Sequence, residues 1–564
     1  MNVRVVFVVI GAACALYTAS PAVAAPVPPY QAVAVGSPSP EAKTVFGEVM
    51  HTIGDIDHDG VREVITKAET TVSGLPRVGR VWVLDGESRA VLLTLNDPDP
   101  QLGAGFGSSI TGLGDVNGDG VPDIAVGAPF TSVNGNAGQG RVYVFSGKDG
   151  RLLYSVDDPT PQPHANFGGL FATATGDLNG DGVPDFATVA PGEDVNGVAT
   201  AGAAYVFEGK DGNMIRRIPN PSPETFTSSE VLFGMGLTNP GDVNGDHVDD
   251  LVVGFAGTTV NGNVNQGRAY LFSGKTGSLL RTLDDPVPQA NAYFGSMYSD
   301  PYAPGDVNGD GVRDLYVDAD GQTTAGLANA GQAYLFSGRD GRLLRTLKSP
   351  MPQDSGFFGF IFSPAGDLYR NGSQDLLVAQ TGSAHLTGAY AVGGTWVLDP
   401  RNGNVLADFT SIAPDTGQGI ASPGDVNGDG IPDYFLSAPR ADIGNNPRQG
   451  IAFQVLSVPG VESSLTAQVR KHIGTNMTSF TISGRLLVPT PLDRNACGGL
   501  VSIQIKRGSR TVSRQQVALA PDCSYRQHTS IPNSRLRRPG RNRIIIGFLG
   551  NYLVRAAGAI TRVA

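Results

Sequence analysis

The residues best placed to do chemistry are crowded carboxylates. In the nonapeptide Asp115–Asp123, positions 1, 3, 5, 7 and 9 are Asp115, Asn117, Asp119, Val121 and Asp123. The same spacing recurs at Asp55, Asp57, Asp59, Val61 and Glu63, and at Asp177, Asn179, Asp181, Val183 and Asp185. It returns at Asp242, Asn244, Asp246, Val248 and Asp250, at Asp306, Asn308, Asp310, Val312 and Asp314, and at Asp425, Asn427, Asp429, Ile431 and Asp433. Oxygen-bearing side chains at positions 1, 3, 5 and 9 turn toward one centre, and position 7 offers its backbone carbonyl. Gly at position 6 permits the sharp turn such a cage needs, although His247 stands there in the fourth copy. Hard oxygens without Cys or His select Ca2+ over zinc or copper. The first copy has four carboxylates at ligand positions and the others have three each, a crowding that repels unless a cation neutralises it. About six Ca2+ ions are therefore expected, one per loop.

One such loop alone reads equally well as a solvated Asp/Asn-Gly turn. Recurrence decides for the metal, because successive copies, counting a degenerate one at Asp367, start 58 to 65 residues apart and the six named here keep the ligand positions. A further copy, Asp367–Asp375, has Tyr369 at position 3 and no carboxylate at position 5, so no metal is expected there. An EF-hand would need flanking helices and Glu at position 12. Position 12 is Val126 or Val253, inside short β-like apolar runs, so the loop belongs to a hairpin.

Other chemistry is poorly represented. There is no Gly-x-Ser-x-Gly elbow, no His-Glu-x-x-His and no phosphate-binding loop. His51, His164, His385, His472 and His528 show no ligand spacing. No catalytic residue or organic cofactor is expected.

The elements that carry the loops repeat with them. In the second unit, Phe106–Ile110 precedes the loop and Ile124–Val126 follows it. Val142–Phe145, a Gly-Lys-Asp-Gly turn and Leu152–Tyr154 complete the unit. Apolar runs bounded by Gly and Asp-Gly are antiparallel strands. A four-stranded sheet of this length, repeated around a ring, makes a propeller. The ring lacks its final strand at Pro459-Gly460, and Tyr30–Val35 supplies a match. It is followed by Ser37-Pro-Ser-Pro-Glu41, as Leu279–Leu283 is followed by Asp285-Pro-Val-Pro-Gln289.

Phe-Gly pairs at Phe46, Phe106, Phe167, Phe233, Phe294 and Phe358 lie just before the loops, and Gly127-Ala128-Pro129 follows one of them. These residues resemble the FG-GAP repeat, the unit of the integrin alpha-subunit propeller. Gln418-Gly419 departs from it in the seventh copy. The resemblance implies an all-β, seven-bladed, calcium-binding propeller over residues 26–460, acting in adhesion or in recognition of an extracellular protein or glycan. The loops Thr131–Gly138, Glu193–Ala201 and Gly257–Gln266 are the candidate contact surfaces. A secreted enzyme on glycans or phosphoesters and a structural cell-surface component are the alternatives.

Composition agrees. Gly is 76 and Pro 39 of 564 residues, and charged residues are 16%, which suits many short strands rather than long helices. Arg4, the apolar run Val5–Leu16 and Ala22-Val23-Ala24 read as a signal peptide over residues 1–24, cleaved after Ala24. The protein is then secreted or at the cell surface, with no transmembrane segment in the mature chain. Charge divides the rest, since residues 465–564 hold 16 Lys+Arg against 2 Asp+Glu while residues 26–464 hold 24 against 50. Residues 461–564 alternate apolar and polar positions and read as a basic β-sandwich of immunoglobulin-like size. Cys497 and Cys523 are expected to form a disulfide. The densest basic patch, from Arg535 to Arg543, lacks stacking aromatics, and no nucleic-acid partner is expected.

Overall fold

The computed structural model describes residues 30–564 except 73, 170–171, 225–231, 297, 300–303, 369–372, 383–392, 411–415, 458–463, 466–467, 488–499, 508–509, 521–522, 537–541, 549–556 and 564. The expected signal peptide at 1–24, Cys497, the centre of the sixth acidic loop and Arg537, Arg538 and Arg541 lie outside the described residues. Among the described residues the one helix is the short segment Asn533–Leu536, and no helix is long and apolar enough to cross a membrane.

The second unit shows how the repeat becomes a sheet. Ser109–Gly114, Asp123–Ala128, Arg141–Phe145 and Leu152–Asp157 pair antiparallel in chain order. Asp123–Ala128 is buried throughout, which is why it is an unbroken run of apolar and small residues after its Asp. Leu152–Asp157 is the outer edge and exposes Leu152.

Among the described residues, seven sheets of this general pattern, with three to five strands, occupy residues 30–457. Each packs on the next through its own apolar cluster. Val81, Val83 and Leu95 of the first unit meet Phe106, Ile110 and Tyr143 of the second. Equivalent clusters join each following pair of units through to the seventh. Phe46, Met50 and Trp82 of the first unit then meet Ala421, Phe435 and Ala452 of the seventh, so the sheets close into a ring. The Phe-Gly pair serves this packing. Phe106 is fully buried against Phe145, ring centroids 6.0 Å apart. Gly107 has φ +88°, and a Cβ there would come within 2.8 Å of Val81.

Closure also uses the N-terminus. Tyr30–Gly36 pairs antiparallel with Ile451–Ser457, Tyr30 opposite Ser457 and Gly36 opposite Ile451. This covers the edge of the last sheet, as the sequence places it. Arg62 of the first unit donates to the Ser422 carbonyl at 2.5 Å, and Gln454 donates to the Gly86 carbonyl at 2.7 Å.

The fifth unit departs from the expected four strands. Its described sheet is Leu315–Ala319, Gln332–Phe336 and Leu343–Lys348. Tyr298–Ser299 instead runs parallel to Phe358–Gly366 of the next unit. Here Asp318 replaces the Gly seen at 127 and 254, and the Ser296 hydroxyl donates to its carboxylate at 2.6 Å.

The connections between the fourth strand of one unit and the first strand of the next carry a repeated clamp. The Gln101 amide donates to the Ser132 carbonyl at 3.1 Å and accepts from its N–H at 2.8 Å. Gln162 holds Gly192 and Asp194, and Gln289 holds Gly321 and Thr323, in the same way. Asp97, Asp158 and Asp285 open these connections. Each accepts an N–H two residues ahead with one oxygen, and the second oxygen is buried, beside the Tyr143 hydroxyl at Asp97 and the Tyr334 hydroxyl at Asp285. Burial pushes the Asp285 carboxyl up to about 6, and the Tyr334 hydroxyl is the polar side chain beside it. Asn220 holds the equivalent place elsewhere, and its amide donates to the Ala201 carbonyl at 2.7 Å.

Residues 464–563 form two further antiparallel sheets. One holds Ser464–Leu465, Met477–Leu487, Gln468–Ile473 and Ser524–Pro532; the other holds Arg510–Ala518, Leu500–Arg507, Asn542–Phe548 and Ala557–Val563. Phe480 and Ile482 of the first and Val501, Ile503, Ile505 and Ile544 of the second are buried. Cys523 is buried and disulfide-bonded.

Two outcomes follow. Tyr30 stacks edge-on to Phe409 at 5.0 Å and lies 5.9 Å from Tyr434. Tyr30→Ala is expected to cost about 3 kcal/mol, and deletion of 26–40 more, in urea unfolding; unchanged midpoints would contradict ring closure. Asp285→Asn is expected to be more stable than wild type at pH 8, with the gain shrinking by pH 4.5. A carboxyl with a raised folded pKa favours folding below its unfolded value of about 4 and loses that contribution as pH rises through about 6. Melting temperatures of the two proteins in EDTA at both pH values check the sign.

Candidate metal centres

Five of the six expected loops join the first and second strands of a sheet; the one at Asp306–Asp314 leads into Leu315–Ala319, whose sheet has no described first strand. Position 1 shapes the loop through its own backbone. Asp115 Oδ1 accepts from the N–H of Gly118 and Asp119 at 2.7 and 3.1 Å, and Oδ2 from that of Gly120 at 2.8 Å. Asp177, Asp242 and Asp306 repeat these three bonds, and Asp425 repeats two of them. Burial pushes the Asp177 and Asp242 carboxyls up, but these N–H donors outweigh it and hold both below the ordinary value. His247 takes φ +68° where the other loops turn at Gly. Position 5 is exposed or half-buried and accepts the N–H of position 7, as Asp119 does from Val121 at 3.1 Å.

Position 9 is different. It is the buried first residue of the second strand, as at Asp123, Asp185, Asp250 and Asp433. Asp123 Oδ2 accepts from the N–H of Val116 and Asn117 at 2.9 and 3.1 Å. Its Oδ1 accepts from Gly147 N–H at 3.1 Å and from the Asn117 amide at 2.9 Å. Gly147 lies in the turn between the third and fourth strands, so one carboxylate ties the loop to that turn. Asp185, Asp250, Asp314 and Asp433 make the same long-range bond, to Gly209, Gly274, Gly338 and Ser457. Burial, partly offset by these donors, pushes Asp185, Asp250 and Asp433 up to about 6.

The first loop brings its carboxylates together. Oxygens of Asp55, Asp57 and Glu63 lie within 4.8 Å of one another. Asp57 stands where the other loops have an Asn, so position 9 receives no amide. Glu63 Oε1 accepts from Ile56 and Asp57 N–H at 2.7 and 3.2 Å, while buried Oε2 has no partner. Asp55 Oδ1 is another buried oxygen without a donor, as is Asn308 Oδ1 in the fifth loop. Burial pushes Glu63 up to about 7. Orphaned hard oxygens converging on one point fit a divalent cation. In the second, fourth and fifth loops the position-3 amide bonds to the position-9 carboxylate. Among the described residues, three converging carboxylates occur at the first loop and not at the other five.

The sixth loop is served by an arginine. Asp375 Oδ1 is buried without a partner, because Tyr369 replaces the amide and Pro400, which has no N–H, replaces the turn residue. Arg401 pairs with Asp399 at 3.1 Å and interacts with Asp375 and Asp367. A guanidinium thus supplies the positive charge there.

The sequence reading missed Asp85. Its carboxylate lies within 4.8 Å of those of Asp57 and Asp59. A lone Asp-Gly turn so far along the chain gave no signal; alignment of its position with Ser146, Ser273 and Ser337 would have found it.

Comparison with known proteins agrees with this geometry. The FG-GAP repeat model matches residues 106–145 and 171–207. The chain is 32% identical over 199 residues to integrin alpha-2 of Bos taurus, covering 34% of this chain and 16% of that protein. It is 29% identical over 195 residues to integrin alpha-PS5 of Drosophila melanogaster, covering 33% and 18%. It is 36% identical over 150 residues to phosphatidylinositol-glycan-specific phospholipase D of Bos taurus, covering 25% and 17%. The matched stretch thus spans less than a fifth of each of these relatives.

Positions 5 and 9 are expected to respond differently to substitution. Asp123→Ala strands buried N–H groups and should cost about 2–4 kcal/mol even in EDTA. Asp119→Ala should change stability little in EDTA and reduce the stabilisation by Ca2+. Urea unfolding with and without Ca2+ checks both.

Proposed function

We propose that this FG-GAP-repeat chain is an exported, calcium-rigidified, seven-bladed propeller over residues 26–460 that recognises an extracellular protein or glycan. The ions sit at about six sites, held by positions 1, 3, 5, 7 and 9 of the loops starting at Asp55, Asp115, Asp177, Asp242, Asp306 and Asp425. Residues 461–564 are a basic, immunoglobulin-like sandwich stapled by Cys497 and Cys523. Export through a cleaved signal peptide places the protein outside the cell or on its surface.

One observation carries the recognition reading. In an antiparallel unit, the second-to-third and fourth-to-first connections lie at the end opposite the metal loops. Large apolar side chains stand exposed on those connections: Leu102 at 68%, Phe130 at 50%, Val264 at 56% and Val287 at 48%. Leu102 and Phe130 lie on connections joined by the Gln101–Ser132 clamp. Exposed apolar groups on loops fixed by a rigid frame suit a binding face. The loops Thr131–Gly138 and Gly257–Gln266 belong to it. The resemblance to integrin alpha subunits supports adhesion.

The likeness to a phosphatidylinositol-glycan-specific phospholipase D favours a second reading, an enzyme on phosphoesters. A glycan and matrix-protein array, run in Ca2+ and again in chelator, separates the two. The binding reading expects a calcium-dependent ligand whose affinity falls about tenfold in Leu102→Ser/Phe130→Ser, with the melting temperature kept. Phosphodiester turnover without array binding would support the enzyme.

A further inference from the structure

The acidic loops share one design, and the turn between the third and fourth strands makes them unequal. That turn reaches over the loop in every unit where it is bonded to position 9. Its first residue is Ser in the second, fourth and fifth units, and in the seventh unit Ser457 stands one place later. The Ser337 hydroxyl is 3.4 Å from Asp310 Oδ2, and the Ser457 hydroxyl is 3.0 Å from Asp429 Oδ2. The turn residue therefore addresses position 5 of the loop.

In the first unit this place belongs to Asp85, in mutual reach of Asp57 and Asp59. Asp57 also belongs to the group with Asp55 and Glu63. Two groups of three carboxylates, joined at Asp57, thus line one loop. Glu63, 1% exposed, aims an unpartnered oxygen into it. The neighbouring cation Arg62 does not neutralise the group, since its guanidinium donates to the carbonyls of Ser422 and Pro423. The fifth loop is the reverse. Arg339 of its turn stands 3.5 Å from Asp310 and donates to the Asp310 carbonyl at 2.5 Å. A resident positive charge there competes with an incoming one.

We infer that Asp85 is a further ligand of the first metal centre and makes it the tightest calcium site of the chain, while Arg339 makes the fifth loop the weakest. Calcium affinity in oxygen cages follows the number of charged ligands, and a fixed cation beside a ligand opposes binding. The inference rests on the calcium reading proposed above.

The test uses the mature full chain, stripped with EDTA and titrated with CaCl2 by calorimetry at fixed ionic strength. Wild type should fill one site ahead of the others. Asp85→Ser should weaken that first class about tenfold without reducing the number of ions bound. The turn itself accepts Ser, since Ser146 forms it in the second unit and takes the Lys148 N–H at 3.3 Å. Asp85→Asn keeps the shape of the side chain and should act alike. Arg339→Ser should tighten the last class to fill. Calcium uptake with one common affinity, untouched by either Asp85 variant and by Arg339→Ser, overturns the inference and leaves the calcium reading standing. No uptake by wild type overturns both.

Discussion

The structure is governed by how it handles carboxylates crowded into short loops. Several negative charges within nine residues cannot share one end of a sheet without compensation. Part of that compensation is internal. In the five loops starting at Asp115, Asp177, Asp242, Asp306 and Asp425 the first carboxylate gathers backbone N–H groups, and the ninth, though buried, is bonded to the loop behind it and to the turn above it, as Asp123 is to Val116, Asn117 and Gly147. What remains, most openly at Asp55 and Glu63, is a set of oxygens with no donor in the protein. A divalent ion is the economical partner for them. The sixth loop makes the same point by substitution, since Arg401 stands where the sequence no longer builds a cage.

This division of labour separates shape from charge. The ninth residue begins a strand that is buried along its length, so its hydrogen bonds belong to the blade. The first, third and fifth residues lie toward solvent, where an ion can be gained or lost. The opposite end of each sheet holds connections clamped by Gln101, Gln162 and Gln289. A ring stiffened at one end and clamped at the other is a frame on which exposed side chains such as Phe130 keep fixed positions.

Much of this was legible in the chain. Strands, loops and closing segment were readable because the period repeats: Tyr30–Val35 was identified by its likeness to Leu279–Leu283 and the Pro-rich stretch after each. Charge and spacing marked the expected ligand positions. What could not be read were contacts that depend on register across a hairpin. Asp85 and Arg401 lie in turns that ordinary Asp-Gly and Arg-Asn-Gly sequences would form anyway. The clamp of Gln101 on Ser132 joins residues 31 apart. The position-3 amides were expected to face the centre, whereas in the second, fourth and fifth loops they donate to the position-9 carboxylate alongside its backbone N–H donors. In the basic region, Gln468–Ile473 and Ala557–Val563 were missed because charge in the first and small residues in the second hide the alternation.

The central claim is that cations complete these loops in the folded ring. Native mass spectrometry of the purified mature chain, exchanged into calcium at low micromolar excess, counts them directly. About six calcium ions per folded chain are predicted, with none retained after EDTA. A folded chain that carries no calcium in that spectrum would contradict the account.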